Sequence, residues 1–285
     1  MSFVKNNFKY IFVALLLVGA VLVWYAVFSE DREGLEVYFL DVGQGDAIFI
    51  QAENGNQVLL DGGKNKEVLR QLSKVMPFYD RSINVVIESH PDSDHISGLV
   101  DVLKRYNVGL MMESGVDTSS DVYQEIEKVV KEKNIQKVLA RKGMIINLGG
   151  GAYLEILFPD REVNGLETNQ ASIVAKLVYG ETSFLLTGDS PKSMEKYLVS
   201  VFGEGLDSNV LKVGHHGSKT STSELLLGYS DSEYAVISVG ADNSYDHPSQ
   251  EVLDLLERFD VKILRTDERG TIKIKSDGES IAIDE

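Results

Sequence analysis

The stretch Ile83-Asn84-Val85-Val86-Ile87-Glu88-Ser89-His90-Pro91-Asp92-Ser93-Asp94-His95 sets an apolar, β-branched run directly before two imidazoles and two carboxylates. The run reads as a buried strand, so the polar residues sit at its carboxyl end. Six positions from His90 to His95 carry enough nitrogen and oxygen donors to feed two adjacent cations from one loop. Burying such groups unpaired costs several kcal/mol each, on the order of 2–7, which a metal ion would offset. The alternative is a solvated polar loop with a helix cap.

Working outward, the remaining histidines fall in two further clusters. The chain has 5 His: after His90 and His95 come His215 and His216 in Gly214-His215-His216-Gly217-Ser218, and His247 in Tyr245-Asp246-His247-Pro248. Cysteine is absent, which excludes disulfides, thiolate zinc sites and a cysteine nucleophile, and leaves metal binding to His and carboxylates. The 285 residues carry 28 Lys plus Arg against 44 Asp plus Glu, a formal net charge of −16 that repels bulk polyanions. Any nucleic-acid role must rest on a local site. At 43% hydrophobic, the chain has room for a sizeable core, and disorder or a collagen-like repeat is excluded.

Tyr10 to Ser29 contains no charged residue, a run close to the ~20 residues needed to cross a bilayer as a helix. Lys5 and Lys9 precede it and Glu30, Asp31, Glu33 and Glu36 follow, which predicts the N-terminus inside and the rest of the chain outside. Trp24, Tyr25 and Phe28 stand near its outer end, where amphipathic rings favour the interface. A cleaved signal peptide is the rival, but Tyr25-Ala26-Val27-Phe28-Ser29 offers no good small-residue cleavage site. The expected organisation is a short cytoplasmic segment 1–9, a membrane anchor 10–29, a linker 30–34 and one catalytic domain 35–285.

Within that domain, runs at 36–40, 47–50 and 57–60, separated by glycines, predict a three-strand meander. Helices are expected near 66–76 and 120–133, strands at 153–158, 172–179, 182–187, 209–213 and 234–239, and alternating strands over 261–283. Gly149-Gly150-Gly151 predicts a tight hairpin. Ser190 reads as an N-cap with Pro191 at the first helical position and Met194, Tyr197, Leu198 and Val201 on one face. Ser249 begins another helix, marked by Val252, Leu255, Leu256 and Phe259.

Six motifs in order identify a resemblance. Asp41-Val42-Gly43-Gln44-Gly45-Asp46, Leu60-Asp61-Gly62-Gly63, the His90–His95 loop, Thr187-Gly188-Asp189, Leu211 to Ser218 and Asn243 to Pro248 together resemble the metallo-β-lactamase superfamily. More specifically, the chain is similar to the hydrolase domain of the ComEC competence (DNA-uptake) proteins, from Leu35 to its last residue. The resemblance implies a four-layer αβ/βα sandwich and two divalent metal ions, Zn or Mn. It implies that His90, Asp92, Asp94 and His95 are ligands, that Asp189 bridges both ions, and that one of His215 and His216 completes the second site. His215 is the expected ligand and His216 the substrate-facing partner, with Asp94, His216 and His247 the catalytic set. His247 is either a further ligand or a proton donor to the leaving group; capping the helix at Ser249 is its bland alternative. Asp61 could orient a ligand from behind. Ser218, Lys219 and Asn169 could contact substrate, against readings as a solvated lysine and a turn asparagine. Asp92 stands where the superfamily signature has its second His, which makes that position richer in oxygen and lets Mn²⁺ compete. The many membrane spans of the full competence proteins have no counterpart here, so a DNA-conducting role does not carry over.

Two cations a few ångströms apart lower the pKa of a shared water, which suits phosphoryl or acyl hydrolysis in a chain without a cysteine nucleophile. The leading expectation is a membrane-anchored, extracytoplasmic phosphodiesterase acting on DNA. Rivals are a phosphodiesterase of a cell-envelope polymer or headgroup, such as a phosphocholine-bearing teichoic acid, and a metal-loaded module docking with a separate membrane channel protein. β-Lactam hydrolysis is disfavoured by Asp92. Gly43-x-Gly45 lacks a third glycine and precedes a strand, no G-x-S-x-G occurs, and Lys64 and Lys66 lack the Walker spacing, so dinucleotide, serine-hydrolase and P-loop readings fail.

Overall fold

The structure is a computed structural model and describes residues 2–28 and 34–284. Contacts divide the chain into two units, one up to residue 33 and one from Gly34 onward. In the first, Ser2–Phe28 form helix α1, and its segment Asn7–Tyr25 is long and apolar enough to cross a membrane, with none of it buried. Ser29, the last residue of the expected anchor, and linker residues 30–33 lie outside the described residues.

The second unit begins with the expected meander, β1 (Leu35–Phe39), β2 (Ile48–Gln51) and β3 (Gln57–Leu60), paired antiparallel. βα alternation follows through α2 (Glu67–Val75), β4 (Ser82–Glu88), α3 (Ser93–Arg105), β5 (Asn107–Glu113), α4 (Asp121–Lys133) and β6 (Gln136–Leu139), and β3 to β6 run parallel. The chain then builds a second sheet. β7 (Ile145–Gly149), β8 (Ala152–Phe158), β9 (Val174–Tyr179) and β10 (Thr182–Leu186) are antiparallel. α5 (Lys192–Phe202), β11 (Val210–Lys212), α6 (Glu224–Ser230), β12 (Tyr234–Ile237), α7 (Gln250–Arg258) and β13 (Lys262–Arg265) continue it with parallel pairing. After the single turn α8 (Thr266–Arg269), β14 (Ile272–Ser276) and β15 (Ile281–Ile283) return to the first sheet, where β14 pairs β1. The sheet orders are β15-β14-β1-β2-β3-β4-β5-β6 and β13-β12-β11-β10-β9-β8-β7.

Side-chain alternation fixes the layers. On β2, Ile48 and Ile50 face the second sheet while Phe49 faces the helices; on β10, Phe184 and Leu186 point inward and Leu185 outward. Leu99, Val102 and Leu103 of α3 and Ile126 and Val130 of α4 cover the first sheet, and Leu198, Leu226 and Leu256 of α5 to α7 cover the second. The result is the α/β sandwich with two sheets that the sequence predicts.

Three local expectations are corrected. Pro191, not Ser190, takes the N-cap position of α5, in extended conformation (φ −77°, ψ 163°), and the helix starts at Lys192. Its buried face uses Leu198 and Val199, while Val201 is exposed. The expected strand from Ser172 starts at Val174, because residues 168–171 make a 3₁₀ turn that carries Ser172 and Ile173 out of the ladder.

Candidate metal centre

The polar clusters meet where parallel strands of both sheets end. Asp61 follows β3, His90 follows β4, Asp189 follows β10, and His215 and His216 follow β11. The crevice at the carboxyl ends of parallel strands is the usual ligand position in α/β sheets. His95 arrives differently: it lies in the first turn of α3, on the same buried stripe as Ile96, Leu99 and Val102. Close backbone packing sets that helix against the Leu60-Asp61-Gly62-Gly63 turn. Gly62 N donates to His95 O (2.7 Å), and a Cβ on Gly98 would stand 1.9 Å from Gly62 O. Strain collects here too, since Asp61 (φ 61°), His215 (φ 49°) and His216 (φ 54°) adopt left-handed backbone, which costs a non-glycine residue about 1–2 kcal/mol.

Three imidazoles are buried and share one arrangement. His95 Nδ1 donates to Asp61 Oδ2 (2.8 Å); His90 Nδ1 faces Ser89 Oγ (2.9 Å), whose hydroxyl donates to Asp61 Oδ2 (2.6 Å); His216 Nδ1 donates to Ser238 O (3.0 Å). In all three, Nε2 has no hydrogen-bond partner. These nitrogens converge on Asp189, whose Oδ2 is 3.4 Å from His95 Nε2, 3.7 Å from His216 Nε2 and 3.8 Å from His90 Nε2. Asp94 Oδ2 is 3.5 Å from His216 Nε2, and Asp92 Oδ2 is 3.7 Å from His90 Nε2. His90, His95 and Asp189 form one group of donors close enough to hold a metal ion, and Asp94, His95 and His216 form another. Unpaired buried nitrogens whose opposite ring atoms are tied to oxygens are the pattern of metal-ligating histidines, so the donors present fit divalent cations.

The electrostatics agree. Burial opposes charge on Asp189, but His95 and His216 hold its carboxyl well below the usual range. Burial likewise works against a charged His95, yet Asp189 and then Asp61 raise its pKa well above normal. His216 is pushed up to about 9 against its burial, by Asp189 first and then by the nearby Asp46 and Asp94 carboxylates. His90 is lowered, by burial first and then by the neighbouring His95. Without a cation, protons hold the carboxylates together; a metal ion would take their place at Nε2.

Sequence reasoning assigned no role to Asp46, Ser89 or Lys212. Lys212 Nζ lies 2.9 Å from Asp46 Oδ2, and neither side chain has any exposed surface. The other carboxylate oxygen faces His216 Nδ1 at 3.4 Å. Burial opposes ionisation of Asp46, but the Lys212 ammonium and then His216 hold its carboxyl well below the usual range. An acid and a lysine in apolar surroundings are a local signal, but their pairing across 166 residues is not.

The remaining expected residues lie toward the mouth. His215 is half-buried, with Nε2 3.8 Å from Asp189 Oδ2 and Nδ1 near Thr220 Oγ1 (3.1 Å) and Asn169 Nδ2 (3.5 Å). Ser218 is joined to this chain through Thr220 (3.0 Å). Lys219 is exposed and makes none of the ion pairs found among the described residues. The His247 ring stands 5.8 Å from that of His215, with Nδ1 unpartnered. Its pKa is lowered, by burial first and then by His215 and His216. The Ser249 hydroxyl does not cap α7.

Residues 40–241 match the model of the metallo-β-lactamase superfamily. The chain is 30% identical over 257 residues to ComE operon protein 3 of Bacillus subtilis (strain 168), covering 84% of this chain and 33% of that protein. It is 30% identical over 263 residues to Competence protein ComA of Neisseria gonorrhoeae, covering 91% and 34% respectively. The chain thus spans about a third of the length of the curated relatives it matches. Among solved structures, CmlA, a diiron β-hydroxylase from Streptomyces venezuelae, superposes with a TM-score of 0.57 at 13% identity, over 86% of this chain and 55% of that one, a likeness of fold alone. With the family's match running from the end of β1 past the whole centre, the chain belongs to the metallo-β-lactamase superfamily, whose fold holds divalent metal ions, often two.

Proposed function

We propose that this protein is a membrane-anchored, metal-dependent phosphodiesterase that acts on DNA outside the cytoplasm, in a role akin to competence. The observation that carries the hydrolase reading is the convergence of three buried, unpartnered Nε2 atoms on Asp189. The similarity to competence proteins supports DNA, and α1, with Lys5 and Lys9 ahead of its uncharged run from Tyr10, supports an anchor with its N-terminus inside. His90, His95, Asp189, His216 and Asp94 would hold two divalent ions, Zn or Mn, with Asp92 at the edge. His216, the more buried of the adjacent pair, suits the ligand role better than His215, which reverses the roles expected from sequence. Two such ions supply a nucleophilic water at neutral pH and an electrostatic clamp on the phosphoryl group.

The chain's own residues do the rest. Asp61 and Ser89 hold His90 and His95 with their Nε2 atoms inward. The Asp46–Lys212 pair stands behind His216. Asn169, His215, Thr220 and Ser218 line the mouth with donors for phosphate oxygens, and Lys219 lies beside them in sequence. His247, with its Nδ1 unpartnered and its ring beside that of His215, would serve as a further ligand or contact the leaving group.

The net charge of −16 favours a second reading, a phosphodiesterase for a cell-envelope headgroup that needs no basic groove. One experiment separates them. The full chain in detergent is assayed for bound metal and incubated with single-stranded DNA, duplex DNA and bis(p-nitrophenyl) phosphate, with His95→Ala as control. Metal-dependent DNA cutting, absent from the variant and falling with added salt, is the expected result. Turnover of the generic ester alone points to the envelope substrate. Two bound ions without turnover point to a module that docks with a channel protein.

A further inference from the structure

Four rings run from the centre to the surface. His216 is buried, the His215 ring lies 6.0 Å from it, His247 follows at 5.8 Å, and Tyr245 stacks on His247 at 5.8 Å with 23° between planes. Tyr245 is 60% exposed, although a tyrosine ring gains by burial. Its loop is nevertheless braced. Asn243 Oδ1 accepts from Tyr245 N (3.2 Å) and His247 N (3.0 Å), while Asn243 Nδ2 donates to Gly240 O (2.9 Å) and His247 O (2.8 Å). Asp246 between the two rings sits at φ 55°, a left-handed conformation that turns the chain so that both rings lie on the same side.

With one side of its ring stacked on His247 and the side chain 60% exposed, Tyr245 can offer a face to a flat partner beside the metal centre. Asp242 and Asp246 are the charged residues of this loop, and both are exposed. They repel phosphate, so what the loop can take is the uncharged, planar part of a substrate. In a chain of net charge −16, binding of a polyanion must draw on contacts other than bulk attraction, and base-on-aromatic stacking is sequence-tolerant and independent of charge.

We propose that Tyr245, stacked on His247 and fixed by Asn243, is a nucleobase platform that seats one base of a single-stranded substrate next to the phosphate at the metal centre. This rests on the phosphodiesterase reading and names the substrate class of the same site. Preorganisation by Asn243 lowers the ordering cost of the contact.

The test compares the wild-type chain of 285 residues, Tyr245→Ala and Tyr245→Phe. Anisotropy on chelated protein measures binding of a labelled single-stranded oligonucleotide and of an oligomer of equal length and charge built from abasic tetrahydrofuran residues. Metal-loaded protein gives KM and kcat for the same pair. Tyr245→Ala is expected to weaken binding of the base-bearing strand and raise its KM about tenfold, with Tyr245→Phe close to wild type and the abasic strand insensitive to either change. Equal losses on both strands, no loss on either, or a wild type that binds neither strand overturns the proposal. So does a Tyr245→Ala protein that keeps its oligonucleotide affinity but loses a protein partner. Base-dependent binding without cleavage sinks the phosphodiesterase reading and leaves the platform standing, whereas cleavage indifferent to Tyr245 does the reverse.

Discussion

The carboxylate of Asp61 and the Nδ1 of His95 are 2.8 Å apart and wholly buried, and the same carboxylate takes two more donors from Ser89, its backbone N–H at 2.8 Å and its hydroxyl at 2.6 Å. One residue therefore aims two imidazoles, His95 directly and His90 through the Ser89 hydroxyl.

Asp61→Asn keeps the shape but has one oxygen for three donors, and its NH₂ must face a donor. Metal affinity should fall about 10- to 100-fold. Competition titration with a chromophoric chelator checks this, and an unchanged affinity would mean that Asp61 merely ends a strand.

Lys212→Met removes the ammonium at 2.9 Å and leaves the buried Asp46 carboxylate with only His216 beside it, which should destabilise the fold by about 3–5 kcal/mol. The double variant Asp46→Asn/Lys212→Met should regain most of that stability yet bind metal more weakly than wild type, because no fixed charge then faces His216. Denaturant melts and metal titrations on all three proteins read both quantities. Equal instability of single and double variants would show that the pair does not act as a unit.

Two helix-interior glycines should answer oppositely to alanine. In α3, a Cβ on Gly98 meets Gly62 O at 1.9 Å and Asn65 O at 2.7 Å, so Gly98→Ala should cost about 1–3 kcal/mol and loosen the Asp61 turn. In α6, the nearest atom to a Cβ on Gly228 is Phe259 Cε1 at 3.9 Å, and Gly228→Ala should stabilise by about 0.5–1 kcal/mol. Parallel urea melts decide; a harmless Gly98→Ala would mean that helix and turn are not pressed together.

Stability of the metal-free protein should fall as pH rises from 6.5 to 9. His216 is raised from 6.5 to about 9 and His95 is raised too, so their protonated forms are favoured by folding. The contribution is complete below 6.5 and vanishes as pH passes the folded-state values. The melting temperature of chelated protein should drop across this window, with a shallower drop in His216→Asn. Metal-loaded protein should lack the drop, since the cation needs the same nitrogens deprotonated. A melting temperature that climbs with pH in the chelated sample would contradict the charge assignment.

Much of the fold was legible where local patterns carry it. The meander over β1 to β3, the hairpin at Gly149-Gly150-Gly151 and helix α4 all lie close to their expected bounds, and the Ser120 hydroxyl accepts from Tyr123 N (3.2 Å) as an N-cap should. Helix α3 was not legible. Its first turn holds Ser93, Asp94 and His95, which read as a polar loop, and its apolar stripe includes a histidine. At the centre, the histidine clusters announced themselves by residue type alone, but the choice between His215 and His216 depends on which ring the left-handed turn buries. The Asp46–Lys212 pair needs both sheets in place before its partners meet, and no window of sequence contains both.

The pairing of β1 with β14, from Leu35 opposite Ser276 to Phe39 opposite Ile272, ties nearly the first residue of the catalytic unit to nearly its last. A nascent chain that has emerged as far as Asp260 has made every candidate ligand, yet one edge of β1 still presents bare backbone and an apolar face. Until Ile272–Ser276 leaves the ribosome that edge is open to a neighbouring chain, so this protein is most exposed to aggregation late in its synthesis, and messages cut short before β14 should yield insoluble rather than merely inactive product.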